Sequence, residues 1–320
     1  MSKKVRSKSV DYLVYLIVRG LVCVLQGLPR RMAFGFAEGL GWLAHRINKR
    51  HRLVAAENLR FAYPEKPPAE IDRLVRDCYR HFCRMLVEMI LLPRVLRVEN
   101  YQNYARFTDL TPSIRGLIGN RPVLFVLGHH GNWELAGYAL GAMGFKTYAI
   151  ARVLDNPYLN EFLNSFRERT GQTIIAKKDD FDRLSETLST GGKVATLADQ
   201  DAGPRGVFVN FFGRPASAHK AVALMAIEFD AVMLVTGITR TGNGIGPTGF
   251  DSSYEIICEE VIDPRDYADR GDAIKAITQR YHDALERIIR RHPEQYFWLH
   301  RRWKSQPAAK KAKPPLAVAA

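Results

Sequence analysis

Pro122-Val123-Leu124-Phe125-Val126-Leu127 runs directly into Gly128-His129-His130-Gly131-Asn132-Trp133-Glu134. The first half is short and continuously apolar, the pattern of a strand buried on both faces. The second half sets two histidines between two glycines and then opens a segment, Asn132 to Met143, with helical character. A buried strand turning into a helix is the repeating unit of an α/β sheet. Ligands of such sheets bind in the crevice beyond the carboxyl ends of the strands.

Working outward, further short strands are expected at Thr147–Ile150, Thr173–Ile175, Val194–Leu197, Val232–Thr236 and Tyr254–Ile257. Helical patterns fall between them at Leu159–Thr170, Asp180–Ser189 and Lys220–Phe229, and a last helix is expected over 271–291. This alternation predicts an α/β fold, with a mostly parallel or mixed central sheet flanked by helices. Upstream, residues 68–96 read as one helix, with Pro93 marking its end.

The N-terminus carries Lys3, Lys4, Arg6 and Lys8, then an apolar run from Val10 to Leu28. Pro29-Arg30-Arg31 follows where a signal peptide would have small residues, so the segment is expected to be retained. Its length suits a membrane span, but Arg19 sits mid-run. A central Arg costs roughly 2.5–3.5 kcal/mol, against about 0.3–0.6 returned by each Leu, Ile or Val. A second apolar stretch, Met32 to Ile47, ends in Arg46, Lys49, Arg50 and Arg52. The expectation is therefore an N-terminal region, 1–52, of membrane-associating helices, then an α/β domain over 53–305. The Ala-, Lys- and Pro-rich tail, 306–320, has no apolar period and is expected to be disordered.

Lys and Arg number 47 against 33 Asp and Glu, a net charge of +14. Such a surface attracts anions: nucleic acid, an anionic membrane, a phosphorylated substrate or an acidic carrier protein. A basic nucleic-acid-binding protein is the alternative of a different class. The cations are scattered and no nucleic-acid motif is present, so no nucleic-acid partner is expected. Cys23, Cys78, Cys83 and Cys258 form no CxxC pair and read as buried thiols in a reducing, cytoplasmic setting.

Residues five apart on a helix point about 140° away from each other. His129 and Glu134 can therefore meet only if His129 precedes the helix, in the turn allowed by Gly128 and Gly131. Glu134 would then hold the imidazole, and His129 would act as general base toward a hydroxyl. His130, four residues before Glu134, is the rival. Adjacent histidines are poor ligands for one metal and the spacing is not that of a zincin helix, so no metal or cofactor is expected.

These residues resemble the late acyltransferases of lipid A biosynthesis, the lauroyl and myristoyl transferases, within the lysophospholipid acyltransferase-like superfamily. His129, four residues, then Glu134 supply the superfamily's mark. Asn156-Pro157-Tyr158-Leu159 with Phe166-Arg167-Glu168-Arg169-Thr170-Gly171 resembles a second block. Leu197-Ala198-Asp199-Gln200-Asp201-Ala202-Gly203 and Phe211-Phe212-Gly213 resemble a third. Pro293-Glu294-Gln295-Tyr296-Phe297-Trp298-Leu299-His300-Arg301-Arg302-Trp303-Lys304 is the most specific match, and Glu57-Asn58-Leu59 with Ala62-Tyr63-Pro64 also fits. One departure is Val232-Met233-Leu234-Val235-Thr236, where the family usually carries a proline; it leaves the reaction class untouched.

The resemblance implies a fatty acyl thioester on acyl carrier protein as donor and an anionic phosphoglycolipid, a lipid A precursor, as acceptor. It implies work at a membrane surface, on the cytoplasmic face of the cell inner membrane. A lysophospholipid or a phosphatidylinositol mannoside is the alternative acceptor. Arg167 and Arg169 would bind phosphate or polarise the thioester carbonyl. Asp199, Gln200 and Asp201 would help form the acceptor pocket. Arg301 and Arg302 would meet the headgroup.

Overall fold

The computed structural model describes residues 7–108, 110–177, 180–242 and 253–307. Most of the expected disordered tail, from residue 308, lies outside the described residues. The chain begins with four helices: α1 (Lys8–Gly27), α2 (Arg30–Ile47), α3 (Lys49–Ala62) and α4 (Pro68–Val95). It then alternates: β1 (Ala105–Thr108), α5 (Leu110–Ile118), β2 (Val123–Leu127), α6 (Trp133–Ala142), β3 (Thr147–Ala151), α7 (Pro157–Glu168), β4 (Gln172–Ala176), α8 (Phe181–Ser189) and β5 (Lys193–Leu197). A hairpin, β6 (Val207–Phe211) and β7 (Arg214–Ala218), leads into α9 (Lys220–Glu228), β8 (Val232–Arg240), β9 (Tyr254–Ile262) and α10 (Ala273–Arg291).

The main sheet has the order β1-β9-β8-β2-β5-β3-β4. Every pairing in it is parallel except β8 with β9. The α/β class with a largely parallel sheet is therefore what the chain adopts. β2 lies between β8 and β5, and its alternate residues serve different cores. Leu124 and Val126 pack with α4, α9 and α10, while Val123, Phe125 and Leu127 pack on the opposite face with α6 and β9. That two-sided burial is why β2 is apolar at every position.

Three details differ from the sequence reading. The edge strand β1 and the β6–β7 hairpin were not expected, because neither has a long apolar run. Phe211-Phe212-Gly213 forms the hairpin turn, with positive φ at Phe212 (54°) and Gly213 (74°), the geometry that suits a tight two-residue connection. α4 continues past Pro93 to Val95; the proline gives up the one bond its N–H would make to the carbonyl four residues back, and the helix ends within a turn of it.

α1 is the one described helix long and apolar enough to cross a membrane, and only 17% of its apolar window is buried. Val10, Leu13, Ile17, Leu21 and Val24 are exposed on it. Arg19, awkward in the sequence, stacks over the Phe162 ring at 5.0 Å. Asn156 Nδ2 donates to the Asp11 carbonyl at 2.9 Å, which further ties α1 to the start of α7. α2 packs tightly on α4, since a Cβ on Gly41 would lie 2.9 Å from the Arg80 Cα. Its other face leaves Met32, Phe36, Trp42, Leu43 and Ile47 exposed.

Candidate active site

β2 ends at Leu127 and α6 begins at Trp133, so residues 128–132 form the turn at the carboxyl edge of the sheet. Gly131 has φ +62°, and a Cβ there would fall 1.5 Å from the Ile238 carbonyl oxygen. Only glycine fits. Asn132 caps α6, its Oδ1 accepting from Leu135 N–H at 3.1 Å. His129 thus precedes the helix, as the spacing requires.

Its partner is not Glu134. His129 Nδ1 lies 2.7 Å from Asp199 Oδ1, and the His129 N–H donates to Asp199 Oδ2 at 2.9 Å. Sheet register explains this. Leu127 pairs with Leu197, and Ala198 N–H donates to the Leu127 carbonyl, so the chains leaving β2 and β5 bring residues 129 and 199 together. Asp199 is fully buried, while the His129 side chain is 18% exposed. Burial alone depresses the His129 imidazole, but the Asp199 carboxylate outweighs it and the net shift is upward. Burial likewise pushes Asp199 up, yet His129 holds it far below the ordinary carboxylate range. Asp199 is ionised and fixes the ring. Nε2 has no partner among the described residues.

Glu134 instead faces Arg167 on α7. Arg167 Nε donates to Oε2 at 2.9 Å and Nη2 to Oε1 at 2.5 Å, a two-pronged fork. Arg167 Nη1 has no partner among the described residues. Both side chains are largely buried, and both line the same cavity as His129. That cavity has a volume of about 560 Å³ and a mostly apolar wall, including Phe125, Leu127, Trp133, Leu140, Leu163 and Ile256.

Behind the turn lies a second polar cluster that the sequence did not reveal. Glu88 of α4 is fully buried and accepts from Arg240 Nη2 at 2.9 Å, from Asn132 Nδ2 at 3.3 Å and from the Tyr254 hydroxyl. Arg240 Nη1 lies 2.9 Å from His81 Nδ1. A guanidinium can only donate, so His81 Nδ1 accepts, and its Nε2–H donates to the Gly131 carbonyl at 3.1 Å. Burial, then Arg240, holds His81 well below the ordinary histidine value, which keeps this neutral tautomer. From the C-terminal segment, the Gln295 carbonyl accepts from Gly131 N–H at 3.0 Å and Phe297 N–H donates to the His129 carbonyl at 2.9 Å. The 128–132 turn is therefore clamped on both sides.

A histidine oriented by a buried carboxylate, open on its other nitrogen to an apolar cavity, is equipped to take a proton from a hydroxyl beside a fatty chain. A family comparison covers nearly the whole chain. Residues 2–305 match the family described as bacterial lipid A biosynthesis acyltransferase. The chain belongs to that family. It is an acyltransferase acting on lipid A or a similar lipid. Among its relatives is the lipid A biosynthesis lauroyltransferase of Escherichia coli (strain K12), 26% identical over 294 residues and 90% of each chain. The lipid A biosynthesis acyltransferase 2 of Shigella flexneri is 22% identical over 88% of this chain and 87% of its own. The phosphatidylinositol mannoside acyltransferase of Mycobacterium tuberculosis (strain ATCC 25618 / H37Rv) is 27% identical over 74% of this chain and 72% of its own.

In this acyltransferase the motifs that carried the resemblance meet in space. Asn58 Nδ2 donates to the carbonyls of Trp298 at 2.8 Å and His300 at 2.7 Å, joining the Glu57-Asn58-Leu59 motif to the C-terminal one. Of the expected acceptor-binding residues, Gln200 lines the cavity, whereas Asp199 is the histidine's carboxylate. Asp201 is turned to the backbone N–H of Gly203 and to Ser305, whose N–H and hydroxyl it binds at 3.2 and 3.0 Å. Arg169 ends α7 and Arg301 is exposed, and neither lines the cavity. Arg302 departs furthest from the reading of a headgroup cation. It is fully buried, donating from Nη1 to the Ser217 carbonyl at 2.8 Å and from Nη2 to His282 Nε2 at 3.0 Å.

The thiols also need one correction. Cys78, Cys83 and Cys258 are buried, but Cys23 is exposed on α1. Burial pushes the Cys78 thiol up to about 12, which rules it out as a nucleophile at neutral pH. Among the described residues no three His, Cys, Asp or Glu side chains are arranged to hold a metal.

Proposed function

We propose that this protein transfers a fatty acyl chain from an acyl carrier protein thioester to a hydroxyl of a lipid A precursor, with His129 as general base. The observation that carries this reading is the His129–Asp199 pair at the wall of an apolar cavity, with Nε2 free. Nε2 takes the proton of the acceptor hydroxyl as its oxygen attacks the thioester carbonyl. Asp199 stabilises the imidazolium that forms. The tetrahedral oxyanion collapses, the carbon–sulfur bond breaks, and the imidazolium returns its proton to the departing thiolate. No covalent acyl-enzyme is needed.

Glu134 keeps a place in this proposal, though a different one from holding His129. It fixes Arg167 in the cavity wall, leaving Nη1 to meet the thioester carbonyl as charge develops on its oxygen. The exposed apolar faces of α1 and α2, beside Arg30, Arg31, Arg46 and Lys49, fit a bilayer with anionic headgroups. They support work on the cytoplasmic face of the inner membrane.

The test is direct. Purified protein is given acyl carrier protein charged with defined acyl chains and an incompletely acylated lipid A precursor, and the product is weighed by mass spectrometry. Addition of one acyl mass is the expected result. No product from the lipid A precursor, with turnover of a mannosylated inositol lipid, would move the acceptor assignment to the alternative that the mycobacterial relatives bear in their names.

A further inference from the structure

The cavity that holds His129 also has a cation with no carboxylate partner among the described residues. Lys177 follows β4 directly, and its backbone N–H donates to the Ala151 carbonyl at 2.8 Å, which pins it to the carboxyl edge of the sheet. Its side chain lines the cavity together with His129, Arg152 and Gln200. The other cations of the wall have carboxylates: Arg167 is held in the fork of Glu134, and Arg152 Nη2 lies 3.8 Å from Asp155. Among the described residues no carboxylate pairs with Lys177, and the residue is exposed. Its positive charge opposes protonation of His129, whose net shift is set upward by Asp199, and adds to the lowering of His219 that burial begins.

From this shared lining we propose that Lys177, with Gln200 of the same cavity wall, is an anion-binding rim that seats a phosphate group in the cavity that holds His129. The inference deepens the acyl-transfer reading and rests on it for the identity of the phosphate. A compact ammonium with three donors, facing water at the edge of an apolar pocket, suits a phosphate that must enter and leave. Gln200, exposed and lining the same cavity, can add an amide donor. Two substrates could bring such a group: the phosphopantetheine arm of the donor and the phosphorylated sugar of the acceptor.

Lys177→Met keeps the aliphatic stem and removes the charge. Kinetics of wild type and variant are compared with donors made on phosphopantetheine or on pantetheine lacking its phosphate, and with acceptors bearing or lacking phosphate. In the wild type, removal of the relevant phosphate should raise KM by about tenfold, the worth of one hydrogen bond to a charged group. In Lys177→Met that ratio should fall toward one, for the donor pair if the arm is the source or for the acceptor pair if the sugar is. Phosphorus NMR of inorganic phosphate with each protein gives a readout independent of turnover: broadening with wild type that is lost in the variant. Unchanged KM ratios for both pairs, or equal broadening by both proteins, would overturn the assignment. An enzyme inactive toward every acceptor, yet binding phosphate through Lys177, would leave the rim standing and remove the reaction.

Discussion

The 128–132 turn has a front and a back, and each uses a histidine to the opposite end. At the front, His129 is partly open to the cavity, and Asp199 raises its affinity for a proton. At the back, His130 is 3% exposed, its Nε2 lies 3.1 Å from the His292 carbonyl, and burial lowers its pKa to about 4. Neighbours in sequence, they differ in whether a buried carboxylate stands opposite the ring. In the proposed mechanism the front gains a proton during the reaction. The back stays neutral at neutral pH. His81, held neutral by Arg240, belongs to the back as well.

The comparison is broken most severely by removing the front. His129→Ala should lower kcat/KM for acyl transfer by about 10²–10⁴-fold while circular dichroism shows an intact fold, the usual worth of a positioned base. Asp199→Asn should approach that loss, and the double variant should lose little more, because either change already disables the pair. His130→Ala should cost much less turnover. An active His129→Ala beside an inactive His130→Ala would reverse the assignment of front and back.

The back fails differently. Arg240→Met takes from the buried Glu88 carboxylate its 2.9 Å guanidinium and leaves it Tyr254, Asn132 and the more distant Arg84 at 3.7 Å; losing one partner of a buried pair costs up to about 3–5 kcal/mol. Urea unfolding should show that loss in stability. A front-side variant, Arg167→Lys, should unfold nearly as wild type does but lose roughly ten- to a hundredfold in rate, since lysine cannot make the fork to Glu134 and also meet the oxyanion. Wild-type rates in Arg167→Lys would move that arginine out of the mechanism.

Proton linkage separates the two sides more finely. A base whose folded pKa is raised loses activity as pH falls through that raised value, so the acid limb of kcat/KM should lie above the ordinary histidine value of about 6.5. In Asp199→Asn, burial is left without its counterweight and the limb should move to lower pH. The back governs stability instead. His130 stays neutral to about 4 and His282 to about 3, while their unfolded counterparts take up protons below about 6.5. The unfolded state therefore binds more protons in that window, and stability falls with falling pH by about 1.4 kcal/mol per unit for each such histidine. The slope of urea-unfolding free energy against pH should flatten by about one proton in His130→Asn. An unchanged slope would mean that His130 is protonated in the folded protein.

Much of this was legible beforehand where the pattern is local. The apolar run of β2 has no polar position because both its faces meet a core, and that reads straight off the chain. The need for His129 to precede α6 follows from helix geometry alone. The resemblance gives Asp199 to the acceptor pocket, and nothing local in the sequence ties it to residue 129. Arg302 sits in a cluster of cations that reads as surface, and only the packed C-terminal segment shows it buried against Ser217 and His282. Glu88 and Arg240 carry no motif, and they lie 152 residues apart.

Sequence by itself determined the α/β alternation, the turn with its required glycine, the histidine in it and the apolar N-terminal helix. These depend on periodicity, on which residues tolerate positive φ and on hydropathy, all properties of neighbours along the chain. Tertiary structure alone decided which carboxylate serves which partner. The register of β2 against β5 delivers Asp199 to His129, and the packing of α7 delivers Arg167 to Glu134. A carboxylate binds whatever donor the fold brings within about 3 Å, and that choice is made by strand order and helix packing rather than by spacing in sequence.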